Sequence, residues 1–195
     1  MQGLAGLLEN CLVCCNTNSG AGGIYIECGG DKNKPGFTVR NCTVYGNVAN
    51  GTDSTVGYGN YGTGGLVASG FAYIVNTIFF ANESPVQTWT NGGYPEWRDL
   101  GANVKIVNCL MGEDIPLPSM AVGSITNNPC LSDDYHLQKG SPCVNGGVND
   151  GAYTAESLDL DRNLRVFNFG RKSGKPDLGC YETPWGMPGM MLMVH

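Results

Sequence analysis

The stretch Arg40-Asn41-Cys42-Thr43-Val44 has three further versions in the chain: Glu9-Asn10-Cys11-Leu12-Val13, Val75-Asn76-Thr77-Ile78-Phe79 and Val107-Asn108-Cys109-Leu110-Met111. Each version has an Asn, then usually a Cys, and then an aliphatic or β-branched run. The four Asn residues are 31, 35 and 32 positions apart. A recurrence at this period is typical of a solenoid, in which each repeat packs on its neighbours. The sequence therefore predicts stacked repeats rather than one central core.

Each repeat holds short β-prone runs that are separated by glycine-rich turns, such as Gly22-Gly23-Ile24-Tyr25-Ile26 and Gly64-Gly65-Leu66-Val67-Ala68. No helical periodicity lies between these runs, so we expect them to form successive sides of parallel β-coils. The chain is predicted to be all-β. Parallel β-helix coils are expected over residues 1–114, and the changed, proline-containing pattern of residues 115–195 predicts an irregular capping region of the same domain.

The repeated Asn and Cys residues are predicted to be structural. Asn10, Asn41, Asn76 and Asn108 would form an asparagine column at one inward turn, with each amide donating to the next. The Cys residue that follows three of them would act as a small buried hydrophobe. N-glycosylation is the alternative for Asn41, which we expect to be buried, and it stays open for Asn50 and Asn82, which also match the acceptor pattern.

Composition excludes some classes of function. The 195 residues carry a net charge of -6 without a Lys/Arg cluster in the sequence, so a nucleic-acid partner is not expected. No apolar stretch is long enough to span a membrane, and no secretory signal pattern is visible. The first repeat begins almost at Met1, so we expect upstream β-helix coils or another chain to cover the N-terminal end. A minimal cap formed by residues 1–8 is the alternative.

Two polar, glycine-rich stretches with interleaved aromatic residues interrupt the repeat at residues 50–63 and 84–100. Insertions in repeat proteins map to loops that often form the binding face. Their aromatic rings could stack on sugars or fasten the loops hydrophobically, and the fastening role is favoured for at least one Trp. The second insertion also holds Glu96, Arg98 and Asp99, which a solvated loop explains equally well. The candidate ligand-binding residues are Tyr58, Tyr61, Trp89, Tyr94, Trp97 and Arg98.

The spacing of Asp159, Asp161 and Asn163 is compatible with Ca²⁺, which prefers carboxylate and amide oxygens. A turn held by Asx hydrogen bonds is the alternative explanation, and the sequence favours it. His136 is expected to be a hydrogen-bonded structural residue, because no nucleophile motif lies near it. No cofactor other than this possible Ca²⁺ is indicated.

The C-terminal region carries the most specific motifs. Tyr135-His136-Leu137-Gln138-Lys139-Gly140-Ser141-Pro142-Cys143, Asp159-Leu160-Asp161-Arg162-Asn163-Leu164-Arg165 and Asp177-Leu178-Gly179-Cys180-Tyr181-Glu182 follow one another. Together with the repeats they resemble bacterial right-handed parallel β-helix proteins with a choice-of-anchor Q type C-terminal region, in the pectate-lyase-like superfold. The resemblance implies a secreted or cell-surface protein of bacterial type and leaves the activity open.

Departures from the family pattern suggest one disulfide. Cys143 and Cys180 both stand where the family has Ala, so we expect either a bridge between them or two buried free thiols. Arg162 and Leu164 replace a Gly and a Pro of the family pattern.

The expected function follows from the resemblance and from the missing acid-base column. Enzymes of this superfold place Ca²⁺ carboxylates and a Lys or Arg base, or paired carboxylates, on one sheet. The predicted strands carry only Glu9, Glu27, Arg40 and Lys105 as ionisable residues. We therefore expect a module for carbohydrate binding or for structural or adhesive use, as the C-terminal part of a larger protein. The alternative is a polysaccharide lyase or glycoside hydrolase whose catalytic residues lie partly upstream.

Overall fold

The computed structural model describes residues 5–51, 63–84, 94–98, 100–154, 156–166 and 174–183. Within these residues the chain forms strands and turns and no helix. The strands are short because each β-branched or aliphatic run is soon ended by a Gly or Asn turn. They are β1 (Gly6–Glu9), β2 (Leu12–Cys14), β3 (Thr17–Asn18), β4 (Ile24–Cys28), β5 (Gly30–Asp31), β6 (Lys34–Pro35), β7 (Phe37–Arg40), β8 (Thr43–Tyr45), β9 (Val48–Ala49), β10 (Leu66–Gly70), β11 (Ala72–Val75), β12 (Ile78–Phe80), β13 (Trp97–Arg98), β14 (Lys105–Val107), β15 (Leu110–Met111) and β16 (Ala121–Val122).

Three parallel sheets each take one strand from successive repeats. The five-stranded sheet has the order β1-β7-β11-β14-β16, the four-stranded sheet β15-β12-β8-β2 and the three-stranded sheet β13-β10-β4. A further parallel pair joins β3 to β9, and β5 and β6 form an antiparallel hairpin. Below, repeat 1 comprises β1 to β6, repeat 2 β7 to β10, repeat 3 β11 to β13, and repeat 4 β14 and β15. The predicted all-β fold with parallel pairing is confirmed.

The register of the sheets brings equivalent residues of the repeats together. In the five-stranded sheet Val39 pairs with Leu8 on one side and Ile74 on the other, and Ile74 pairs with Ile106. Neighbouring strands lie roughly 4.8 Å apart, so these side chains stack directly on one another. Val39, Ile74 and Ile106 are fully buried. The main core consists of such columns from all three sheets.

The repeated Asn occupies the turn between the five-stranded and the four-stranded sheet. Asn10, Asn41, Asn76 and Asn108 have φ values of 53°, 50°, 51° and 47°. Asn tolerates this left-handed conformation better than most residues, which explains its recurrence there. The following residue points inward, and Cys42 and Cys109 are fully buried, as predicted, whereas Cys11 in repeat 1 is half-buried.

The C-terminal region covers the outer face of the four-stranded sheet. Ile78 and Leu110 point away from the main core and form a second buried cluster with Leu137, Cys143 and Leu178. Both faces of this parallel sheet are therefore covered by protein, as is usual for parallel sheets.

One part of the C-terminal region, residues 145–154 and 156–158, runs along the asparagine column and is called the strap below. Asn108 Nδ2 donates to Gly146 O at 3.1 Å, Asn76 Nδ2 to Val148 O at 2.9 Å and Asn10 Nδ2 to Leu158 O at 2.7 Å. The strap thus passes from repeat 4 back to repeat 1. The region predicted to cap one end contacts the repeats from the side, and the division at residue 114 stays a prediction.

The predicted bonds between successive amides of the asparagine column are wrong. Three of the four Nδ2 groups donate to strap carbonyl oxygens, and Asn41 Oδ1 accepts the Tyr153 hydroxyl at 2.8 Å. The left-handed turn directs these amides out of the stack, where the strap offers acceptors.

Candidate functional site

The outer face of the five-stranded sheet carries a row of polar side chains from three repeats. Tyr73 pairs in register with Thr38 on one side and with Lys105 on the other. Lys105 is exposed, and Thr38 and Tyr73 are half-buried. We call this row, Thr38-Tyr73-Lys105, the polar strip. Its side chains are held roughly 4.8 Å apart by the backbone hydrogen bonds of the sheet.

Arg40 borders the polar strip on the side of the strap. Its guanidinium contacts Asp150 Oδ2 of the strap at 3.2 Å and Glu9 Oε1 at 3.5 Å. The same group lies 5.9 Å from the centre of the Tyr153 ring. Arg40 therefore fastens the strap to repeat 1 and repeat 2, and its charge is already compensated.

Tyr73 is a hydrogen-bond donor at neutral pH. Burial, followed by the charge of Asp150 and a hydrogen bond to it, raises the pKa of Tyr73 to about 12. Burial lowers the pKa of Arg40, but Asp150, Tyr153 and Glu9 outweigh that effect and raise it. Both groups thus stay protonated, and neither can serve as a general base near neutral pH.

A hairpin with two lysines lies on the other side of the polar strip. The hairpin formed by β5 and β6 carries Lys32 and Lys34, both exposed, and Lys105 Nζ contacts Lys32 O at 3.4 Å. The amide groups of Asn33 and Lys34 donate to Asp31 Oδ1, which fixes the hairpin turn. Lys105 therefore lies beside a hairpin with two lysines, although it is 73 positions from Lys32 in the sequence.

The aromatic residues predicted to bind a ligand are only partly described. Tyr58, Tyr61 and Trp89 lie outside the described residues. Trp97 packs against the main core, and its ring centre lies 5.1 Å from that of Tyr94. This geometry corresponds to the fastening role that was favoured for at least one Trp.

Arg98 and Glu96 flank Trp97 and are both buried. Arg98 lies in register with Val67 on the three-stranded sheet, so it does not belong to the polar strip. Glu96 accepts hydrogen bonds from Asn82 N at 3.1 Å and from Asn82 Nδ2 at 2.5 Å. A solvated loop therefore does not describe Glu96 and Arg98, and the carboxyl group of Glu96 is used within the fold. Asp99, the third residue of this group, lies outside the described residues.

The predicted calcium ligands use their oxygens within the fold. Asp159 Oδ1 accepts from Asn163 N at 2.6 Å, and Asp159 Oδ2 accepts from Glu182 N at 2.7 Å and from Asn163 Nδ2 at 3.2 Å. Asp161 Oδ2 lies 2.8 Å from His136 Nε2. This is the Asx-type turn that was the alternative to a Ca²⁺ site. Among the described residues there is no group of three or more His, Cys, Asp or Glu side chains that could hold a metal ion.

His136 is held by two carboxylates and one ring. Its Nδ1 lies 3.2 Å from Asp134 Oδ1, its Nε2 contacts Asp161, and its ring stacks on Tyr181 at 3.9 Å between centres. Burial lowers the pKa of His136, but the hydrogen bonds to Asp161 and Asp134 outweigh it and raise the pKa above its usual value. Both ring nitrogens are occupied, so this arrangement fits the expected structural role.

Cys143 and Cys180 are two separate buried thiols in the structure, which differs from the predicted disulfide. Cys180 Sγ donates to Thr43 Oγ1 at 3.4 Å, and Cys143 packs in the second cluster. Each sulfur has its own environment, so the alternative of two buried free thiols is the arrangement observed.

Several residues that shape the site have no signal in the repeat pattern. Tyr73 and Asp150 are unremarkable in sequence, and only the register and the path of the strap bring them together. Lys105 and Arg40 were visible as strand residues, but their separate rows on the sheet were not.

The described residues include no helix with the length and hydropathy needed to cross a bilayer. Comparison of the chain with protein-family models, with curated proteins and with solved structures finds no match.

Proposed function

We propose that this chain is a carbohydrate-binding module and that the polar strip binds the ligand. The proposal includes the fold in more detail, as a right-handed parallel β-helix. Successive repeats feed the three parallel sheets in the same order, and parallel crossover connections are almost always right-handed. The proposal includes the choice-of-anchor Q relationship, a secreted or cell-surface location and a place in a larger protein, all of which rest on the sequence motifs.

The in-register row Thr38-Tyr73-Lys105 is the observation that carries the proposal. A polysaccharide is an extended chain with apolar C–H faces and many hydroxyl groups. The strip offers it an aromatic ring, two hydroxyl groups and an ammonium group along one direction. The strap on one side and the hairpin on the other would confine the chain to the strip.

An acidic polysaccharide is the ligand class that the charges favour. The chain carries 11 Lys and Arg residues against 17 Asp and Glu residues, yet Lys105 lies beside the hairpin with Lys32 and Lys34. Such a local positive region on an acidic protein would attract a carboxylate-bearing chain, and this attraction would weaken as salt screens it.

Binding is favoured over catalysis because the ionisable groups beside the strip are already used. Tyr73 and Arg40 stay protonated, and the carboxylates of Glu9 and Asp150 contact Arg40. A hydrolysis would need a pair of free carboxyl groups within reach of the sugar, and an elimination would need carboxylates for Ca²⁺ in addition to a base. Lys105 by itself could supply only the base.

The test is affinity electrophoresis of the full chain against acidic and neutral polysaccharides. We expect retardation in polygalacturonate or alginate gels, and a reduction of at least about tenfold in affinity for Lys105→Ala and Tyr73→Phe. Tyr25→Ala is the matched control, because Tyr25 is 57% exposed on the three-stranded sheet, away from the strip. Equal binding by all variants, or release of unsaturated or reducing sugar ends by the wild type, would contradict the proposal.

A further inference from the structure

Two adjacent thiols meet one tyrosine hydroxyl on the outer surface of repeat 1. Cys15 Sγ lies 3.6 Å from Tyr135 Oη, and the Cys14 thiol lies near the same hydroxyl, where both thiols raise the pKa of Tyr135. Cys14 is half-buried and Cys15 is exposed. Consecutive side chains of a strand normally point to opposite faces. Cys15 has a φ of 55° and follows the last residue of β2, so this alternation has ended and both thiols reach Tyr135.

The fold does not require two thiols at this place. Cys14 pairs in register with Tyr45, and Tyr45 pairs with Phe80. The residue after each of them has a positive φ, and it is Gly46 in repeat 2 and Ala81 in repeat 3. The repeat therefore calls for an aromatic residue and then a small one. Repeat 1 has Cys-Cys instead, and Cys15 occupies a left-handed position that favours Gly.

We propose that Cys14 and Cys15 bind a soft, thiophilic metal ion, with the Tyr135 oxygen as a further ligand. Thiolates are the ligands that select ions such as Zn²⁺, Cd²⁺ and Cu⁺ over hard cations. A tetrahedral ion about 2.3 Å from a sulfur and about 2.0 Å from an oxygen separates those two atoms by about 3.5 Å. The observed separation of 3.6 Å between Cys15 Sγ and Tyr135 Oη is close to this value.

A direct bond between the two sulfurs is the less favourable alternative. The Cα atoms of adjacent residues are about 3.8 Å apart across a trans peptide, whereas disulfides usually join Cα atoms about 4.4 to 6.8 Å apart. A metal ion between the sulfurs relieves this constraint, because it holds them about 3.8 Å apart. On binding, each thiol loses its proton to solvent and forms a metal–sulfur bond, while the Tyr135 hydroxyl keeps its proton and binds the ion through a lone pair of its oxygen. No electron transfer is involved.

The site is independent of the polar strip. Cys14 lies on the outer face of the four-stranded sheet, and the strip lies on the five-stranded sheet. The proposed metal site consists of two thiols and a phenol. It is therefore compatible with the absence, among the described residues, of a group of three or more His, Cys, Asp or Glu side chains that could hold a metal ion. Loss of carbohydrate binding and loss of metal binding would therefore be separate results.

The experiment is a titration of the reduced full chain with Cd²⁺ in the presence of a phosphine reductant. Thiolate-to-cadmium absorbance reports the bound ion, and proton release into a weakly buffered solution reports deprotonation of the thiols. The variants are Cys14→Ser, Cys15→Ser and Tyr135→Phe. Cys130→Ser is the matched control, because Cys130 is also an exposed cysteine with a positive φ of 51°.

We expect one Cd²⁺ per chain with release of about two protons. Either serine variant should weaken binding about 100-fold or more, Tyr135→Phe should weaken it by a smaller factor, and Cys130→Ser should bind as the wild type does. Cys14→Tyr/Cys15→Gly gives repeat 1 the residues of repeat 2, and it should keep the fold while losing the ion. Unchanged binding in both serine variants and in this double variant would overturn the proposal. So would a wild type that binds no Cd²⁺, or a loss of binding in Cys130→Ser.

Discussion

Asn82 donates its side-chain amide to Glu96 and thereby ends a ladder of polar side chains inside the stack. Asn16 Nδ2 donates to Asn47 Oδ1 at 2.9 Å, Asn47 Nδ2 donates to Asn82 Oδ1 at 3.0 Å, and Asn82 Nδ2 donates to Glu96 Oε2. All donors point in the same direction along the repeats. The last member accepts from both the backbone amide and the side-chain amide of Asn82, and the Glu96 carboxyl group has one oxygen for each.

Removing the middle of this ladder should destabilise the chain strongly. Asn47 is fully buried, and besides its two ladder bonds it donates to Val13 O at 2.9 Å and accepts from Asn16 N at 3.1 Å. Asn47→Ala leaves several polar groups without partners, so we expect a loss of about 2 to 4 kcal/mol in the free energy of unfolding. Chemical denaturation measures it. Asn16→Ala, at the exposed end, should cost about 1 kcal/mol or less, and an equal loss in both variants would contradict the ladder.

Glu96 should make the stability of the chain depend on pH. Burial raises the pKa of Glu96 to about 7, although hydrogen bonds from Asn82 and Ala81 act to lower it. A raised pKa means that the folded chain holds the proton more tightly than the unfolded chain does. The stabilisation is complete below the ordinary Glu pKa of about 4.3 and is lost as the pH rises through about 7, by an amount on the order of 3 kcal/mol.

Glu96→Gln can keep an acceptor for Asn82 without a titrating proton. We expect the difference in unfolding free energy between this variant and the wild type to change between pH 4.5 and 8, in favour of the variant at the higher pH. Urea denaturation across this range provides the measurement, and a pH-independent difference would count against the burial of this carboxyl group.

The buried pair of Arg165 and Glu182 should join the C-terminal region to repeat 1. Arg165 is 1% exposed, contacts Glu182 Oε1 at 2.8 Å and donates to Asn10 Oδ1 through Nε and Nη2. Arg165→Met leaves a buried carboxylate without its partner, so we expect a loss of about 3 to 5 kcal/mol. Arg165→Met/Glu182→Gln removes both charges and should recover part of this loss. A double variant less stable than the single one would refute the pairing.

His136 should lose its stabilising contacts as the pH rises. The carboxylates of Asp161 and Asp134 raise its pKa, so its contribution is present below the ordinary His pKa and disappears above the raised value. We expect Asp161→Asn to lower the pKa of His136, as measured from the imidazole proton shifts by NMR. A pKa that stays the same in this variant would show that the contact of Asp161 is not maintained in solution.

The thiols of Cys143 and Cys180 should be free and inaccessible. Burial raises the pKa of Cys143 to about 12 and that of Cys180 to about 11, which suppresses the reactive thiolate. Thiol titration in denaturant without reductant should find nine groups per chain. A disulfide between the two would leave seven, the nine thiols less these two.

The repeat can be recognised in the sequence because its signal is local. The hydrogen-bond partners of the repeated residues cannot be recognised in the same way. The position of Asn10 at a turn follows from its recurrence, but its acceptor, Leu158 O, lies 148 residues further along the chain. The internal ladder did have a local signal. Asn16, Asn47 and Asn82 each follow a column Asn by six residues, so a second periodic Asn was available to be found.

The candidate site was harder to predict for the same physical reason. Tyr73, Lys105 and the hairpin with Lys32 come from different repeats, and only the register of the five-stranded sheet sets them side by side. The sequence predicts the ligand at the insertions, because insertions in repeat proteins often form the binding face. A fastening role was expected for at least one Trp, but the sequence does not show which one, since the packing of Trp97 on the core depends on its pairing with Leu66.

The most direct test of the binding function is a titration of the isotope-labelled chain with an oligogalacturonide, followed by amide chemical shifts. We expect saturable shifts at Thr38, Tyr73 and Lys105 and in the hairpin around Lys32, with smaller shifts at higher salt at a fixed ligand concentration. Tyr25 and Val67, on the three-stranded sheet, should stay unchanged. Shifts confined to the three-stranded sheet, or no shifts with acidic oligosaccharides of any kind, would contradict it.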